Sequence, residues 1–177
     1  MIKVKVKKLS PEAQIPLYAT SGSACVDLVS NEDVYIEPQS TKTISTGLSF
    51  EIPEGYKMAI YPRSGISAKT PIRVANAPAQ IDADFRGEVK LILTNSMQLV
   101  ANKNNVYYDL NGNHFTMSSP EMKKLQLSNV SWGTIKINKG DRVAQAEIVP
   151  VLQVEFEETL ELTETERGSG GMGSTGV

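Results

Sequence analysis

The sequence predicts an all-β fold, a jelly roll or distorted β-barrel made of many short strands. Apolar residues alternate with polar ones, which is the period of a half-buried strand. Turn signals rich in Gly, Pro, Asn and Ser separate the alternating runs, and no stretch shows a long helical period. Strands at this spacing are typical of an antiparallel sandwich or barrel of the jelly-roll kind.

Taken in order, the predicted strands begin near the N-terminus. Ile2, Val4 and Val6 alternate with lysines, which indicates a strand with one charged, solvated face. The next strands are predicted at residues 34–36, 41–45, 48–52 and 56–61, with turns between them at 37–40, 46–47 and 53–55. Near the C-terminus, an apolar face is predicted to run from Ala144 to Phe156.

Residues 76–87 predict a strand, a tight turn and a second strand, with the charged groups crowded in the middle. Asp82 and Asp84 are two residues apart, so an extended segment would point both to one face and would point Ile81 and Phe85 to the other. Two carboxylates on one face of a sheet strand indicate either a partner cation or chemistry.

Composition and charge exclude several functional classes. The chain of 177 residues predicts one domain with a buried core, and its net charge of −2 gives no basis for direct nucleic-acid binding. One Cys and one His exclude a disulfide framework, argue against a zinc site and fit a reducing cytosol. Neither a membrane span nor a signal peptide is evident, so we expect a cytoplasmic protein with no membrane partner.

The predicted jelly-roll domain spans residues 1–160. One segment within it and one after it lack the alternation that is typical of strands. Residues 97–130 are polar and rich in Asn and Ser, and they predict an inserted subdomain with a small hairpin around Asn111 and Gly112 and a helical turn from Pro120. Residues 161–177 pass from acidic to Gly/Ser-rich and predict a flexible arm.

Four clusters combine charges, hydroxyls and glycines. Residues 167–176 hold the glycines, hydroxyls and arginine of a phosphate cradle, although a flexible tail has a similar composition. Residues 22–28 place one carboxylate among small residues, residues 61–67 place an arginine beside a hydroxyl at a strand end, and residues 139–145 form a turn into a strand. Taken singly, each of these three is better explained by a turn or a surface ion pair than by a functional site.

Together with residues 76–87, these clusters resemble the five ordered motifs of the trimeric dUTPases (dUTP nucleotidohydrolases). The order and spacing agree from about residue 10 to the C-terminus, apart from the segment 97–130. The five motifs match in order at residues 23–28, 62–67, 76–87, 140–145 and 167–176.

The resemblance implies a jelly-roll subunit in a homotrimer, with the C-terminal strand and arm exchanged between subunits and active sites at the junctions. It implies hydrolysis of dUTP to dUMP and diphosphate with the help of Mg²⁺, which keeps uracil out of DNA and supplies dUMP for thymidylate synthesis. By position, Asp82 would activate the water that attacks the α-phosphorus. Asp27 would hold Mg²⁺ through its bound waters.

The resemblance also assigns the substrate contacts. The residues that would meet phosphate charge are Arg63, Ser64, Gly65, Gln145, Arg167, Gly168, Ser169, Ser174 and Thr175. The residues that would contact the base and sugar are Asn76, Ala79, Gln80, Ile81, Phe85 and Met172. Cytosine would leave buried hydrogen-bonding groups unpaired in such a pocket, and the ring at position 85 would exclude a 2′-hydroxyl.

This chain departs from the family pattern within the base and sugar site. Phe85 stands where Tyr is usual, and Ala79 and Gln80 stand where Gly and a small aliphatic residue are common. Met172 stands where an aromatic residue normally stacks over the uracil. Because a thioether can still cover a ring, we expect activity to persist and Met172→Phe to tighten substrate binding.

The segment 97–130 resembles the insertions of staphylococcal phage dUTPases, some of which bind and derepress the repressor of a mobile pathogenicity island. This resemblance implies a second, protein-binding role. The candidate contact residues are the aromatic side chains Tyr107, Tyr108, His114, Phe115 and Trp132. The alternative is that these side chains form the insertion's own small core.

Two other functions fit the same fold. A dCTP deaminase would need a Glu close to the base, where this chain has Asp82. A mainly regulatory, protein-binding jelly roll would not need Arg63, Gln145 and Arg167 together. Both alternatives rank behind dUTP hydrolysis.

Overall fold

The computed structural model describes residues 2–99, 106–116 and 131–171. Within these residues the fold is almost entirely β, so the all-β prediction is confirmed. The elements in chain order are β1 (Lys5–Lys8), β2 (Val26–Val29), β3 (Val34–Ile36), β4 (Thr41–Glu51), β5 (Tyr56–Tyr61), α1 (Ser64–Lys69), β6 (Ile72–Val74), β7 (Ala79–Ile81), β8 (Glu88–Asn95), β9 (Val106–Tyr108), β10 (His114–Thr116), β11 (Thr134–Ile137) and β12 (Arg142–Pro150).

The strands of the described residues form three four-stranded sheets. Their orders are β1-β4-β8-β6, β10-β9-β11-β3 and β2-β12-β5-β7. All pairings are antiparallel except that of β9 with β11, where Thr134 lies opposite Tyr107. The core draws buried aliphatic side chains from all three sheets, including Leu28, Ile44, Leu91 and Ile135. Each such side chain contributes roughly 1.5–3 kcal/mol by leaving water.

Strand β4 corrects one sequence prediction. Separate strands at residues 41–45 and 48–52 were expected around a turn at 46–47, but β4 runs without a break from Thr41 to Glu51. Gly47 takes a φ of 68°, and the register with β8 shifts between Ser45 and Ser49, so the glycine forms a bulge within the strand. The Gly47 amide donates to Glu88 at 2.9 Å, which keeps the two strands joined across the bulge.

Helix α1 and the end of β12 also differ from the sequence prediction. Helix α1 has six residues and buries only Ile66, so it is too short to produce a helical period. Strand β12 ends at Pro150, although the apolar face was predicted to continue to Phe156. Leu152 and Phe156 are 89% and 93% exposed, because no strand of this chain's described residues covers them.

The described part of the predicted insertion adds two strands to one edge of a sheet. The hairpin expected around Asn111 and Gly112 is confirmed, since β9 and β10 pair with His114 opposite Tyr108. Tyr107 is fully buried and stacks on Phe115, with ring centroids 5.0 Å apart. The expected helical turn from Pro120 lies outside the described residues. No helix among the described residues is long and apolar enough to cross a membrane.

Candidate active site

The segment 76–87 begins as predicted and then leaves the sheet. Strand β7 pairs with β5, so that Ala79 lies opposite Ile60 and Ile81 lies opposite Met58. The second strand does not begin until Glu88, and residues 82–87 form a turn in which the Phe85 amide donates to the Asp82 carbonyl at 3.2 Å. The expectation that Asp82 and Asp84 share one face of an extended strand was therefore wrong.

The side chain of Arg86 adds two hydrogen bonds to this turn. Its Nη1 donates to the backbone carbonyls of Ala83 at 2.6 Å and Phe85 at 3.0 Å, and these bonds close the turn from inside. Among the described residues, Arg86 forms no ion pair with Asp84, since its guanidinium is committed to the backbone. Asp82 and Asp84 are both exposed and line an open cleft of about 760 Å³.

The other base and sugar candidates lie on the same hairpin. Ala79 is buried, Ile81 is half-buried and Asn76 is exposed. The Gln80 side chain donates to the Pro78 carbonyl at 3.0 Å, which follows a cis peptide bond at Ala77–Pro78. Phe85 is 42% exposed, so part of its ring is open to a ligand.

A second cleft forms where β2, β12 and β5 lie side by side. Strand β12 is central, and its Gln145 lies opposite Asp27 on one neighbour and opposite Tyr61 on the other. Arg63 and Ser64 lie just beyond the end of β5 at Tyr61, so the pairing of β12 with β2 and β5 brings the first, second and fourth motifs together. The cleft encloses about 450 Å³, and its lining includes Asp27, Arg63, Ser64, Gly65 and Gln145.

Ion pairs order the side chains of this second cleft. Arg63 Nε donates to Asp27 Oδ1 at 2.7 Å, and Arg142 Nη1 donates to Asp27 Oδ2 at 3.2 Å. Arg63 also donates from Nη1 to the Arg142 carbonyl at 3.0 Å, and Gln145 donates to the Pro62 carbonyl at 2.9 Å. Two arginines around one carboxylate leave a net positive charge, which suits an anionic ligand.

Sequence reasoning did not single out Arg142 as a site residue. It lies in the fourth motif, and the signal that could have found it is its position three residues before Gln145 on β12. Ser23 and Cys25 also line this cleft. Burial raises the pKa of the Cys25 thiol, and the nearby carboxylates of Glu147 and Asp27 raise that pKa further. The thiol is therefore protonated at neutral pH and a poor nucleophile.

The two clefts stand at opposite ends of β5. Asp82 follows Ile81, which pairs with Met58 near the start of β5, whereas Arg63 follows the end of β5 at Tyr61. Strand β5 has six residues, and at about 3.3 Å per residue it separates the two sites by roughly 20 Å. A single chain therefore does not bring Asp82 to the phosphate-site candidates.

The C-terminal arm lies apart from both clefts as far as it is described. Residues 161–169 are exposed, and Arg167 Nε donates to the Gly170 carbonyl at 2.9 Å. Gly168 has a φ of 50° in the turn that starts at Thr165, and Ser169 is exposed beside it. The other arm candidates, Met172, Ser174 and Thr175, lie outside the described residues.

The aromatic residues of the insertion form a packed cluster. Tyr107 is buried between Tyr35 and Phe115, and Tyr108 meets Trp132 edge-on with ring centroids 6.3 Å apart. His114 is exposed, whereas Phe115 and Trp132 are half-buried. Tyr107 cannot contact a partner from this position, so the prediction of a partner contact there was wrong. The cluster is the core of the insertion's hairpin.

Comparison with known proteins identifies this arrangement. A sequence model of the dUTPase family matches residues 11–105 and 121–176. The chain is 43% identical over 175 residues to the deoxyuridine 5′-triphosphate nucleotidohydrolase of Nautilia profundicola, with 99% of each chain covered. It is 34% identical over 176 residues to the enzyme of the same name from Helicobacter pylori, with 99% of this chain and 98% of the relative covered.

The fold agrees with a solved structure of the same family. The Staphylococcus bacteriophage 80alpha dUTPase with dUPNHPP superimposes with a TM-score of 0.87 at 29% identity, with 99% of each chain covered. The fold and the site thus define an all-β nucleotide hydrolase. The chain belongs to the dUTPase family, and its activity is hydrolysis of dUTP.

Proposed function

We propose that this chain hydrolyses dUTP to dUMP and diphosphate with Asp82 as the general base. The carboxylate is exposed at the edge of an open cleft and forms no ion pair among the described residues, so it is free to take a proton from water. A positioned base of this kind supplies roughly 10²–10⁴ in rate. The single observation that carries the proposal is the converging Asp27, Arg63, Arg142 and Gln145 cleft in a dUTPase-family chain.

The separation of the two clefts supports an active site shared between copies of the chain. Asp82 lies roughly 20 Å from Arg63 along β5, so the base and the phosphate cleft must come from different subunits to act on one substrate. The exposed apolar side chains of Leu152, Val154 and Phe156 leave a segment that another subunit could cover. Both observations favour the homotrimer with an exchanged C-terminal strand.

The residues of the phosphate cleft fit Mg²⁺ in a water-mediated role. The described residues contain no group of three or more His, Cys, Asp or Glu side chains that could hold a metal ion directly. Asp27 accepts one hydrogen bond on each oxygen and, with about four lone-pair sites, retains capacity for metal-bound waters. When bound, Mg²⁺ would neutralise phosphate charge. A dUTPase of Staphylococcus aureus phage phi11 is described with a structural Mg(II) ion.

The hairpin is the proposed site of base and sugar recognition. Backbone groups around Ala79, Gln80 and Ile81 would match the donors and acceptors of uracil, with Asn76 adding a side-chain contact. Phe85 would lie against the deoxyribose, since part of its ring is exposed. In the phosphate cleft, Arg63, Ser64, Gly65 and Gln145 would meet the phosphates, joined by the arm residues Arg167, Gly168, Ser169, Ser174 and Thr175. Met172 would cover the base.

Diphosphate release separates this function from its enzymatic alternative. We expect the purified protein with Mg²⁺ to release diphosphate from dUTP and to leave dCTP and UTP almost untouched. A dCTP deaminase would instead release ammonia from dCTP. Ammonia from dCTP without diphosphate from dUTP would contradict the proposal. Sedimentation analysis of the same sample tests the trimer, which a stable monomer with full activity would exclude.

A second, regulatory function has one comparison in its favour. The bacteriophage 80alpha dUTPase is described as controlling transfer of virulence genes. The packed aromatic cluster leaves His114 as the exposed candidate contact, and bacterial relatives align over 99% of this chain, so its length is not particular to phage enzymes. A pull-down with a pathogenicity-island repressor tests this role. Binding that persists after deletion of residues 97–130 would rule the insertion out.

A further inference from the structure

The far edge of the Phe85 ring lies beside Gly87, where the Cβ atom of any other residue would be. A Cβ atom added at Gly87 would lie 2.6 Å from Phe85 Cζ and 3.0 Å from Cε2. Real Cβ atoms essentially never approach another atom to 2.6 Å, so no residue other than glycine leaves room for the ring in this position. The side chain at position 85 therefore depends on the missing side chain two residues later.

The backbone itself does not require a glycine at this position. Gly87 is absent from the glycines with positive φ, so alanine could adopt its conformation without strain. The chain on either side is also fixed. The Ser49 hydroxyl donates to the Arg86 carbonyl at 2.6 Å, and Glu88 accepts the Gly47 amide at 2.9 Å. Of the two parts that would clash, the Phe85 ring is the one that can move.

We propose that Gly87 is a specificity-determining residue that sets the position of the Phe85 ring against the substrate's sugar. This inference rests on the proposed function, in which Phe85 packs on deoxyribose. The ring is 42% exposed, and its Cζ and Cε2 atoms lie where a side chain at position 87 would begin.

A small displacement of the ring is enough to matter. Relieving the clash of an added methyl group requires the ring to move by about 1 Å. UTP differs from dUTP by one added hydroxyl group. Steric exclusion of one such group is worth roughly tenfold or more in kcat/KM. Gly87→Ala should therefore weaken the fit of deoxyribose, while UTP, which already fits poorly, should change little.

The experiment measures kcat and KM for dUTP and UTP in four proteins: the parent, Gly87→Ala, Phe85→Ala and the double variant. We expect Gly87→Ala to raise the KM for dUTP and to lower the dUTP-over-UTP ratio of kcat/KM about tenfold, with kcat near the parent's. In the Phe85→Ala background the same change should have no further effect, because no ring remains to be displaced. Asn111→Ala is the control for a surface substitution outside both clefts, since Asn111 lies in the exposed turn of the insertion.

The outcomes separate the inference from the function it rests on. A parent without diphosphate release from dUTP overturns both. If the parent is active and Gly87→Ala leaves the dUTP-over-UTP ratio of kcat/KM unchanged, only the inference is overturned. An equal effect of Gly87→Ala with and without the Phe85 ring also overturns it, since the glycine then acts on the backbone. If Gly87→Ala fails to fold, a double variant that does fold supports the inference, because removing the ring then removes the clash. A double variant that also fails to fold contradicts it.

Discussion

Arg63 Nε lies 2.7 Å from Asp27 Oδ1, and this pair joins two motifs that are 36 positions apart in the chain. Both side chains are about one-quarter exposed, so the pair sits at the cleft surface within reach of a ligand. The guanidinium uses Nε and Nη1 within the protein, which leaves its remaining amino group for a phosphate. The carboxylate thus holds the arginine in place while the arginine keeps donor capacity.

Loss of this guanidinium should weaken substrate binding. Because a hydrogen bond to a charged group is worth roughly 1.5–3 kcal/mol, Arg63→Ala should lower kcat/KM for dUTP about 10- to 100-fold. Arg73→Ala is the control, since Arg73 donates only to backbone carbonyls of its own segment and lies on β6. Steady-state kinetics with dUTP would compare Arg63→Ala with Arg73→Ala. Equal losses of kcat/KM in the two variants would point to a general effect of arginine removal.

The two aspartates of the turn should differ in function. Asp82→Asn should lower kcat by about 10²- to 10⁴-fold, because an amide cannot take the proton from water. Binding of dUTP, measured by calorimetry, should persist. Asp84→Asn is a close control, since Asp84 is equally exposed and lines the same cleft. Similar losses of turnover in both variants would show that the carboxylates act together.

Glu88 should make stability depend on pH in the acid range. Partial burial alone would raise the pKa of this carboxyl, but hydrogen bonds from the Ser45 hydroxyl and the Gly47 amide and the charge of Lys90 outweigh burial and hold the pKa below its ordinary value of 4.5. A lowered folded-state pKa gives stability that is present above pH 4.5 and lost as pH falls through the folded value.

The Glu88→Gln variant tests this dependence. We expect its free energy of unfolding in urea to fall below the parent's at pH 7, and the difference to shrink towards pH 3 as Glu88 takes up a proton. Glu54→Gln is the control, because Glu54 is exposed and forms no ion pair among the described residues. A difference that is the same at both pH values would assign the effect to packing instead of charge.

The aromatic cluster of the insertion should contribute to stability. Phe→Ala typically costs about 3–5 kcal/mol in a core, so Phe115→Ala, with its ring half-buried on Tyr107, should cost roughly 2 kcal/mol. Asn111→Ala in the exposed turn should leave stability unchanged. Denaturant unfolding checks both variants. An unaltered stability in Phe115→Ala would revive the view that the ring serves a partner.

The insertion shows which structural features can be predicted from residue types alone and which cannot. Its hairpin was predictable because Asn111 and Gly112 specify a turn locally, and Gly112 has the expected positive φ of 85°. The burial of Tyr107 was not, because it depends on Tyr35 from a distant strand and on parallel pairing with β11. Aromatic residues suit both an interface and a core, and only their surroundings distinguish the two.

The turn after β7 shows the same limit within the site. Alternation predicted an extended strand through Asp82 and Asp84, but Arg86 caps the carbonyls of Ala83 and Phe85 and closes a turn instead. The alternation of apolar and polar residues does not reveal that a side chain will bond to nearby backbone carbonyls. The bulge at Gly47 escaped for a related reason, since a glycine with positive φ can end a strand or bend it.

The sequence alone determined the all-β class, the family and the residue types of the chemistry, because alternation, turn residues and motif order are local properties of the chain. The tertiary structure decided which of those residues meet. It placed Arg142 beside Asp27 and set Asp82 at the far end of β5 from Arg63. These relations depend on strand pairing between distant segments, where register is set by the packing of the whole core.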